Sequence, residues 1–350
     1  MLPLLAGTPE PVVGGAEVQS FHLAQELHRR GWRLSFLVCS LDGAESGVRS
    51  TALGPAHVLF PRHPVKHLGV KLHEKRALFG AVLRSRADLV FQRAVWDADL
   101  AALAARWRGR PYVYSLASDR DVVALPKWSR RRNVLHLARS VVAQTESQRE
   151  WARRDGVDAR VIASGFPVPA WNPAPRADVL WVGTLRDLKR PDLFLDLAAA
   201  LPSHSFVLCG GAGEDTSVAA RVAARAAALP NLRYEGFVPY AQMAVRFARA
   251  RVLVNTSTYE GFPNTFVLAW LHGAVVLSLG VDPDERLSRD GLGVVARDPR
   301  DLAAALGALL ADEARCAALA ARARAHAERQ HDIRTVANDY EAVFEAALGG

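Results

Sequence analysis

The sequence is poor in cysteine and has no long apolar run. Its three cysteines, Cys39, Cys209 and Cys316, show no CxxC or Cys/His spacing, which argues against a disulfide framework or a cysteine-ligated metal site. No window reaches the roughly 18 uncharged apolar residues that a spanning helix needs, and the N-terminus lacks the basic leader of a signal peptide. We therefore expect a cytoplasmic chain whose cysteines are reduced core residues.

Acidic residues are scarce in the first half of the chain. Residues 1–170 hold 25 basic and 15 acidic side chains, whereas residues 171–350 hold 19 and 21. The basic residues are densest at 61–76 and 126–139, which indicates either a solvated surface or one that binds phosphates of lipids or other anions. Aromatic residues do not alternate with these charges as nucleic-acid stacking platforms require, so we expect no nucleic-acid partner.

What the sequence does contain is a regular alternation of short β-rich apolar runs with longer amphipathic segments, typical of parallel sheets connected by helices. Half of the 350 residues are apolar, enough for two cores. Residues 165–178 carry four prolines in fourteen positions, which indicates a domain boundary. We predict an α/β fold of two doubly wound, Rossmann-like domains, 1–170 and 171–330, that face a central cleft. Residues 331–350 follow as a C-terminal helix.

Ligands of such sheets bind beyond the carboxyl ends of the strands, so strand-to-helix turns are the candidate sites. In the first of three unusual turns, Gly14 and Gly15 allow a close backbone approach and the φ values of an anion-binding nest, before a helix that starts near Ala16. A plain tight turn is the alternative. Neither "VVGGAEVQ" nor "LCGGAGEDTS" completes the dinucleotide pattern GxGxxG.

The second turn, "WVGTLRDLKRPD", follows a predicted strand that ends at Gly183. Arg186 and Lys189 lie three and six residues further on, and the nearby Asp187 cannot neutralise both. Two cations at the head of a sheet suit a diphosphate. A solvated basic turn is the alternative.

The third turn, "TSTYEGFPNTF", contains Glu260, after which no acidic residue occurs until Asp282. Gly261 and Pro263 shape the turn, and a helix is predicted from about Asn264 to Gly273. Glu260 therefore stands just before a helix N-terminus, either as a ligand-binding carboxylate or as a helix cap.

Five segments together resemble family 4 of the retaining glycosyltransferases in order and approximate spacing: "VVGGAE", "VGTLRDLKRP", "LCGGAGED", "LRYEGFVPYAQM" and "STYEGFPNTF". The resemblance covers nearly the whole chain. It implies the two-domain GT-B fold, with a nucleotide-sugar donor held mainly by the second domain and the acceptor by the first. It also implies that the C-terminal helix crosses back to the first domain.

The resemblance assigns roles to the residues of the three turns. Arg186 and Lys189 would bind the donor diphosphate and stabilise it as a leaving group, and Glu260 would accept hydrogen bonds from sugar hydroxyls. Gly15 would approach the diphosphate, and the base would rest near Gly211 and Val238. The predicted donor-lining residues are Gly14, Gly15, Gly183, Gly211, Val238, Gly261, Phe262, Asn264, Thr265 and Leu268.

The sequence departs from the family pattern at several positions. Leu268 stands where the family has a second Glu that binds the ribose. Thr184 stands where the family has an Arg directly after the strand glycine, and Arg186 is the candidate to take over the role of that Arg. A His that often follows the fifth strand is missing, since that stretch offers only Ser118, Asp119 and Asp121.

The implied activity is metal-independent hexosyl transfer from a UDP- or GDP-sugar to an acceptor hydroxyl, with retention, in cell-surface glycan or glycolipid synthesis. The segments "DRD" at 119–121 and "DPD" at 282–284 imitate a metal motif, but we interpret them as surface acids and expect no cofactor. A catalytically weak binding or regulatory subunit and a nucleotide-sugar isomerase remain alternatives.

The expected partners are a glycan or lipid-linked acceptor and an anionic membrane surface, with the protein peripheral at the inner face. The membrane hypothesis rests on the basic first half and on five apolar residues that alternate with cations. These residues are Leu68, Val70, Leu72, Leu78 and Phe79.

Overall fold

The computed structural model describes residues 5, 14–38, 46–59, 68–93, 97–117, 130–171, 176–213 and 215–349. The chain divides into two compact units. The first contains the described residues up to Gly165 together with those from Ile333 onward, and the second contains Phe166–Asp332. Within residues 14–349, as far as they are described, the chain therefore passes between the units twice, at the start of the proline-rich segment and again before its last helix.

The first unit is built from two sheets with helices between their strands. Strands β1, β3 and β2 form one sheet in that order, with β2 antiparallel to β3, and β4 to β7 form a parallel sheet in consecutive order. In chain order, the first unit contains α1 (Gly15–Arg29), β1 (Phe36–Val38), β2 (Gly47–Arg49), β3 (Ala56–Val58), α2 (Leu68–Arg84), β4 (Val90–Arg93), α3 (Ala98–Trp107), β5 (Tyr112–Ser115), α4 (Arg130–Leu137), β6 (Ser140–Ala143), α5 (Glu146–Arg154), β7 (Ala159–Val161) and the C-terminal α12 (Ile333–Leu348).

Helix α12 belongs to the core of the first unit. Its buried face, which includes Val336 and Phe344, joins Leu23 of α1 and Val113 of β5 in one apolar cluster. The cluster forms because α12 repeats apolar residues at helical spacing, which places them on one side of the helix.

The second unit contains one parallel sheet of six strands in the order β10-β9-β8-β11-β12-β13. Chain order runs outward from β8 in one direction and from β11 in the other, so the sheet has a topological switch point between these two strands. Its elements are β8 (Asp178–Val182), α6 (Pro191–Ala200), β9 (Phe206–Cys209), α7 (Thr216–Ala226), β10 (Leu232–Gly236), α8 (Tyr240–Arg249), β11 (Ala250–Asn255), α9 (Asn264–Leu271), β12 (Val275–Leu279), β13 (Gly293–Ala296), α10 (Pro299–Ala311) and α11 (Glu313–Gln330).

The predicted alternation of short apolar strands with helices is confirmed in the described residues, because buried parallel strands appear in the sequence as short β-branched runs. Strand β2 was not predicted, since its three residues are all exposed and carry no apolar pattern. The run "MLPLLAG" at residues 1–7, which we also interpret as a strand, lies outside the described residues except for Leu5, and Cys39 lies outside them as well. Cys209 and Cys316 are buried and unbridged.

Candidate functional site

The candidate site lies at the switch point of the second unit, where β8 and β11 end side by side. The turn after β8 (residues 183–190) and the turn after β11 (residues 256–263) leave the same edge of the sheet. A hydrogen bond of 2.9 Å from the Thr258 amide to the Leu188 carbonyl joins the two turns. This edge is where open α/β sheets bind ligands.

Glycines let the backbone of neighbouring turns approach closely at this edge. A Cβ on Gly210 would lie 2.6 Å from the Gly183 carbonyl oxygen, and one on Gly213 would lie 2.8 Å from the Leu185 carbonyl oxygen. The Leu185 amide donates to the Gly211 carbonyl at 2.9 Å. The predicted residues Gly183 and Gly211 thus lie in adjacent turns.

Lys189 and Glu260 form the polar centre of the site. The Lys189 ammonium donates to Glu260 Oε1, and the Ser257 hydroxyl donates to the same oxygen at 2.7 Å. The Lys189 and Glu260 side chains are 25% and 17% exposed, so solvent or a ligand can still reach the pair. The structure thus brings together two residues that stand 71 positions apart in the sequence.

The carboxylate that neutralises Lys189 is Glu260 and not the acid nearest to it in sequence. Asp187, the acid nearest in sequence, points instead toward Arg221, with the two charged groups 3.1 Å apart. Sequence reasoning missed Glu260 as the partner because the pairing depends on β8 lying next to β11.

Arg190 fastens the two turns together. It has φ 46° and ψ 55°, in the left-handed region, and its guanidinium donates to the carbonyls of Thr256 at 2.7 Å and Ser257 at 3.3 Å. In the opposite direction, the Thr256 hydroxyl donates to the Lys189 carbonyl at 2.7 Å and accepts a bond from Trp181 Nε1 at 2.9 Å. No sequence signal marks Arg190, since a basic residue in a basic turn is unremarkable in composition.

Arg186 is exposed and, among the residues that the structure describes, its guanidinium has no hydrogen-bonding or acidic partner. Its side chain runs past Gly213, where an added Cβ would approach the Arg186 Cγ to 2.9 Å. Within the described part of the chain, Lys189 is thus paired with a carboxylate and Arg190 with backbone carbonyls, whereas the Arg186 guanidinium has no such partner.

Glu260 does not cap the helix that follows it. Pro263 is the N-cap of α9, and no side chain of the described residues caps it. Gly261, Phe262, Asn264 and Thr265 therefore lie at an uncapped helix N-terminus, which favours an anionic ligand. This arrangement argues against the helix-cap alternative.

Phe262 anchors this turn to the core. Its ring packs against those of Trp270 and His331, with centroids 6.1 and 5.5 Å away. Leu268, on the same helix as Trp270, is half-buried and lies outside the main apolar cluster, whereas its neighbours Val267 and Ala269 are fully buried.

Phe237 lies beside Gly211 and directly precedes Val238, and these two neighbours are the residues predicted to lie near the nucleotide base. A Cβ on Gly211 would lie 3.1 Å from the Phe237 Cβ, and Phe237 is 40% exposed. At the end of the neighbouring strand β9, burial and then the Glu235 carboxylate raise the pKa of the Cys209 thiol to about 12. The Cys209 thiol is therefore protonated at neutral pH and is not a nucleophile.

The predicted Gly14 and Gly15 belong to the first unit. Gly14 is the extended N-cap of α1, with φ −75° and ψ 162°, and Gly15 is the first helical residue. Neither adopts the left-handed backbone that the nest hypothesis requires, so that hypothesis is wrong. Their approach to a diphosphate stays a prediction.

The structure describes one of the two acidic segments, "DPD" at 282–284. The Asp282 carboxylate accepts bonds from the Leu287 and Ser288 amides at 2.7 and 3.2 Å and from the Ser288 hydroxyl at 2.6 Å, so it serves as a turn cap. Ser118 and the segment 119–121 lie outside the described residues. The described residues contain no group of three or more His, Cys, Asp or Glu arranged to hold a metal ion.

Some of the apolar residues predicted to contact a membrane are instead packed in the core of the first unit. Leu78 of α2 is buried in the core of the first unit and Phe79 packs against it, which leaves Leu72 exposed. The side chains of Leu68 and Val70 lie outside the description. None of the described helices has the length and apolar character to cross a bilayer.

Comparison with known proteins adds family relationships to this geometry. Residues 13–168 match the family described as Glycosyltransferase Family 4, and residues 176–312 match Glycosyl transferases group 1. A D-inositol 3-phosphate glycosyltransferase of Thermobispora bispora is 31% identical in an alignment 214 positions long that covers 53% of this chain. The matched region spans about half the length of that relative.

Solved structures match over nearly the whole chain. Anabaena HepE in complex with UDP is 18% identical with a TM-score of 0.75, covering 97% of this chain and 98% of that one. Sucrose-phosphate synthase of Thermosynechococcus elongatus is 17% identical with a TM-score of 0.79, covering 96% and 94%. These likenesses establish the fold, and with the two family matches they show that the chain belongs to the family 4 glycosyltransferases of the GT-B fold.

Proposed function

We propose that this chain transfers a hexosyl group, with retention, from a UDP- or GDP-sugar to a hydroxyl of a glycan or lipid-linked acceptor in cell-surface glycan or glycolipid synthesis. The observation that carries the proposal is the Lys189–Glu260 pair at the switch point. An ammonium suits a diphosphate, and the adjacent carboxylate suits sugar hydroxyls. Solved HepE structures with UDP and with UDP-glucose support this choice of donor class.

The proposed chemistry follows from the two cations. As the bond from the anomeric carbon to the diphosphate breaks, negative charge grows on the diphosphate, and Lys189 and Arg186 stabilise it. The acceptor oxygen bonds to the anomeric carbon on the same face, and its proton passes to a diphosphate oxygen. The products are the glycoside and the nucleoside diphosphate. In this proposal the cations supply the positive charge, so no metal or other cofactor takes part.

Glu260 has a positioning role toward the sugar in the same proposal. Its Oε1 already accepts from Lys189 and Ser257, which fixes the carboxylate beside the diphosphate site. The charge on Glu260 strengthens hydrogen bonds from sugar hydroxyls. Because each member of the pair neutralises the other, isosteric replacements are the right test of function.

The experiment compares donor hydrolysis and transfer in Glu260→Gln and Lys189→Met with the wild type. Each change removes a transition-state contact of about 3 kcal/mol, so turnover should fall about 100-fold or more. Arg315→Gln, which removes an exposed arginine of α11 in the same unit, is the matched control and should keep its activity. Turnover near the wild-type value in either site variant would contradict the proposal.

A catalytically weak nucleotide-sugar-binding or regulatory subunit is the second candidate, and Leu268 favours it because that position lacks a ribose-binding carboxylate. Thermal stabilisation by UDP or GDP, about 2.7 kcal/mol at 100 times Kd, combined with absent hydrolysis and transfer would support this subunit. Product analysis in the absence of acceptor tests for the isomerase, which would convert the donor into another nucleotide sugar.

We also propose a cytoplasmic location with peripheral contact at the inner face of the membrane. The basic excess of residues 1–170 supports electrostatic attraction to anionic lipid.

A further inference from the structure

An exposed tryptophan lies among arginines at the C-terminal end of α3. In the sequence Arg-Trp-Arg-Gly-Arg at 106–110, Trp107 is 77% exposed, the highest value among the large apolar side chains that the structure describes. Its ring meets Phe79 of α2 edge-on, with centroids 6.0 Å apart. A single exposed ring is ordinary on a folded surface, so the residues around Trp107 decide whether it belongs to an interaction site.

The fold brings further arginines to the same place. Helices α2, α3 and α4 all end at the amino edge of the parallel sheet β4–β7, the edge opposite the strand-to-helix turns. The Arg139 amide donates to the Tyr112 carbonyl at 2.8 Å, and Tyr112 pairs with Val90, so the chain segments before β4, β5 and β6 lie side by side. We call this surface the Trp107 edge; it consists of Arg84, Arg86, Arg106, Trp107, Arg108, Arg110 and Arg139.

The Trp107 edge carries an unbalanced positive charge. All six arginines are exposed, and Asp88 approaches Arg110 to 3.5 Å. The other five have no acidic partner among the described residues. Further along this edge, Arg153 and Arg154 share Glu150.

Compensation of helix dipoles explains only part of this arrangement. A cation in the last turn of a helix is favourable, which accounts for Arg84 and Arg106. Arg108 is the C-cap of α3 and is also favourable there, whereas Arg86 and Arg139 lie two residues beyond the ends of α2 and α4, outside the last turn in which the dipole acts. Nor does the dipole explain an exposed Trp107.

We propose that the Trp107 edge docks on an anionic lipid bilayer. An indole ring with an apolar body and a polar N–H is suited to the membrane interface, and the arginines are attracted to anionic headgroups. Nucleic acid would require a series of stacking aromatics, whereas this surface offers one. The inference rests on the proposed peripheral location and deepens it by naming the contact surface, and it does not depend on the donor site.

The experiment measures sedimentation of the full chain with vesicles of phosphatidylcholine alone or mixed with phosphatidylglycerol. We expect at least about tenfold tighter binding to the anionic vesicles at low salt, lost at high salt. Each arginine near the surface contributes roughly fivefold, so Arg106→Gln/Arg108→Gln/Arg110→Gln should weaken binding on the order of 100-fold. Trp107→Ser should weaken it roughly tenfold. All four side chains are exposed, so melting temperatures should stay close to that of the wild type.

Matched controls come from the second unit. Val245, which is 59% exposed on α8, is replaced by Ser, and three exposed arginines of α11 are replaced together by Gln. These arginines are Arg315, Arg322 and Arg329. Both controls should bind anionic vesicles as the wild type does.

Four outcomes would overturn the proposal. They are equal binding to neutral vesicles, unchanged binding of the Trp107-edge variants, an equal loss in the α11 control, or oligonucleotide binding as tight as vesicle binding at the same salt. Hydrolysis of a soluble donor should be unaffected in every variant of the Trp107 edge. A loss of vesicle binding with hydrolysis intact therefore tests this surface apart from the proposed function.

Discussion

Arg190 should hold the turns 183–190 and 256–263 together at the expense of backbone strain, and three substitutions separate the two effects. A non-glycine residue in the left-handed region, where Arg190 has φ 46°, costs roughly 1–2 kcal/mol. Its guanidinium bonds to the Thr256 and Ser257 carbonyls, and hydrogen bonds with a charged partner contribute about 1.5–3 kcal/mol. Strain and hydrogen bonding therefore oppose each other at one residue.

The magnitudes predict an order among the variants. Arg190→Ala loses the hydrogen bonds and keeps the strain, so its unfolding free energy should fall by about 1.5–3 kcal/mol. Arg190→Gly also relieves the strain, so its unfolding free energy should fall by only about 0–2 kcal/mol. Arg190→Lys keeps one charged donor group, so its unfolding free energy should lie between those of the wild type and Arg190→Ala.

Activity should not follow this order. Removing the guanidinium from the turn 256–263 loosens the placement of Glu260, and misplacement of a reacting group by about 1 Å reduces turnover by up to 100-fold. Arg190→Gly should therefore be nearly as stable as the wild type yet at least about tenfold slower, with partial rescue in Arg190→Lys. Urea unfolding and donor-hydrolysis kinetics on the same samples measure both properties. A fully active Gly variant, or an Ala variant more stable than the Gly variant, would refute the reasoning.

Two further predictions concern single positions in the second unit. Leu268→Glu should raise UDP or GDP affinity roughly tenfold in calorimetric titration if Leu268 faces the ribose; weaker binding with a clearly lower melting temperature would instead show a packing role. Burial, and then Arg324 and Arg176, lower the pKa of His272 to about 4. The unfolded chain takes up this proton first, so stability should fall as the pH drops from about 6.5 toward 4, by about 2 kcal/mol at pH 5. His272→Phe should reduce that slope, and an unchanged slope would contradict the assignment.

The sequence by itself determined most of the secondary structure and the location of the candidate turns. The helix α9 runs from Asn264 to Leu271 and is followed by Gly273 at φ 75°, as the Pro-Asn start and the glycine stop predicted. Such features are local, because apolar period, turn residues and helix signals act within a few positions of the chain. The turns that hold Lys189 and Glu260 could therefore be found without a structure.

Only the tertiary structure decided which of these residues meet. Strand order places β8 beside β11, and this pairing joins Lys189 to Glu260 and lets Arg190 bond to the turn 256–263. It also decided that Leu78 is core rather than membrane contact, and that arginines from three separate helix ends share one edge. These outcomes depend on long-range strand pairing and helix packing, whose partners no local pattern of side chains specifies.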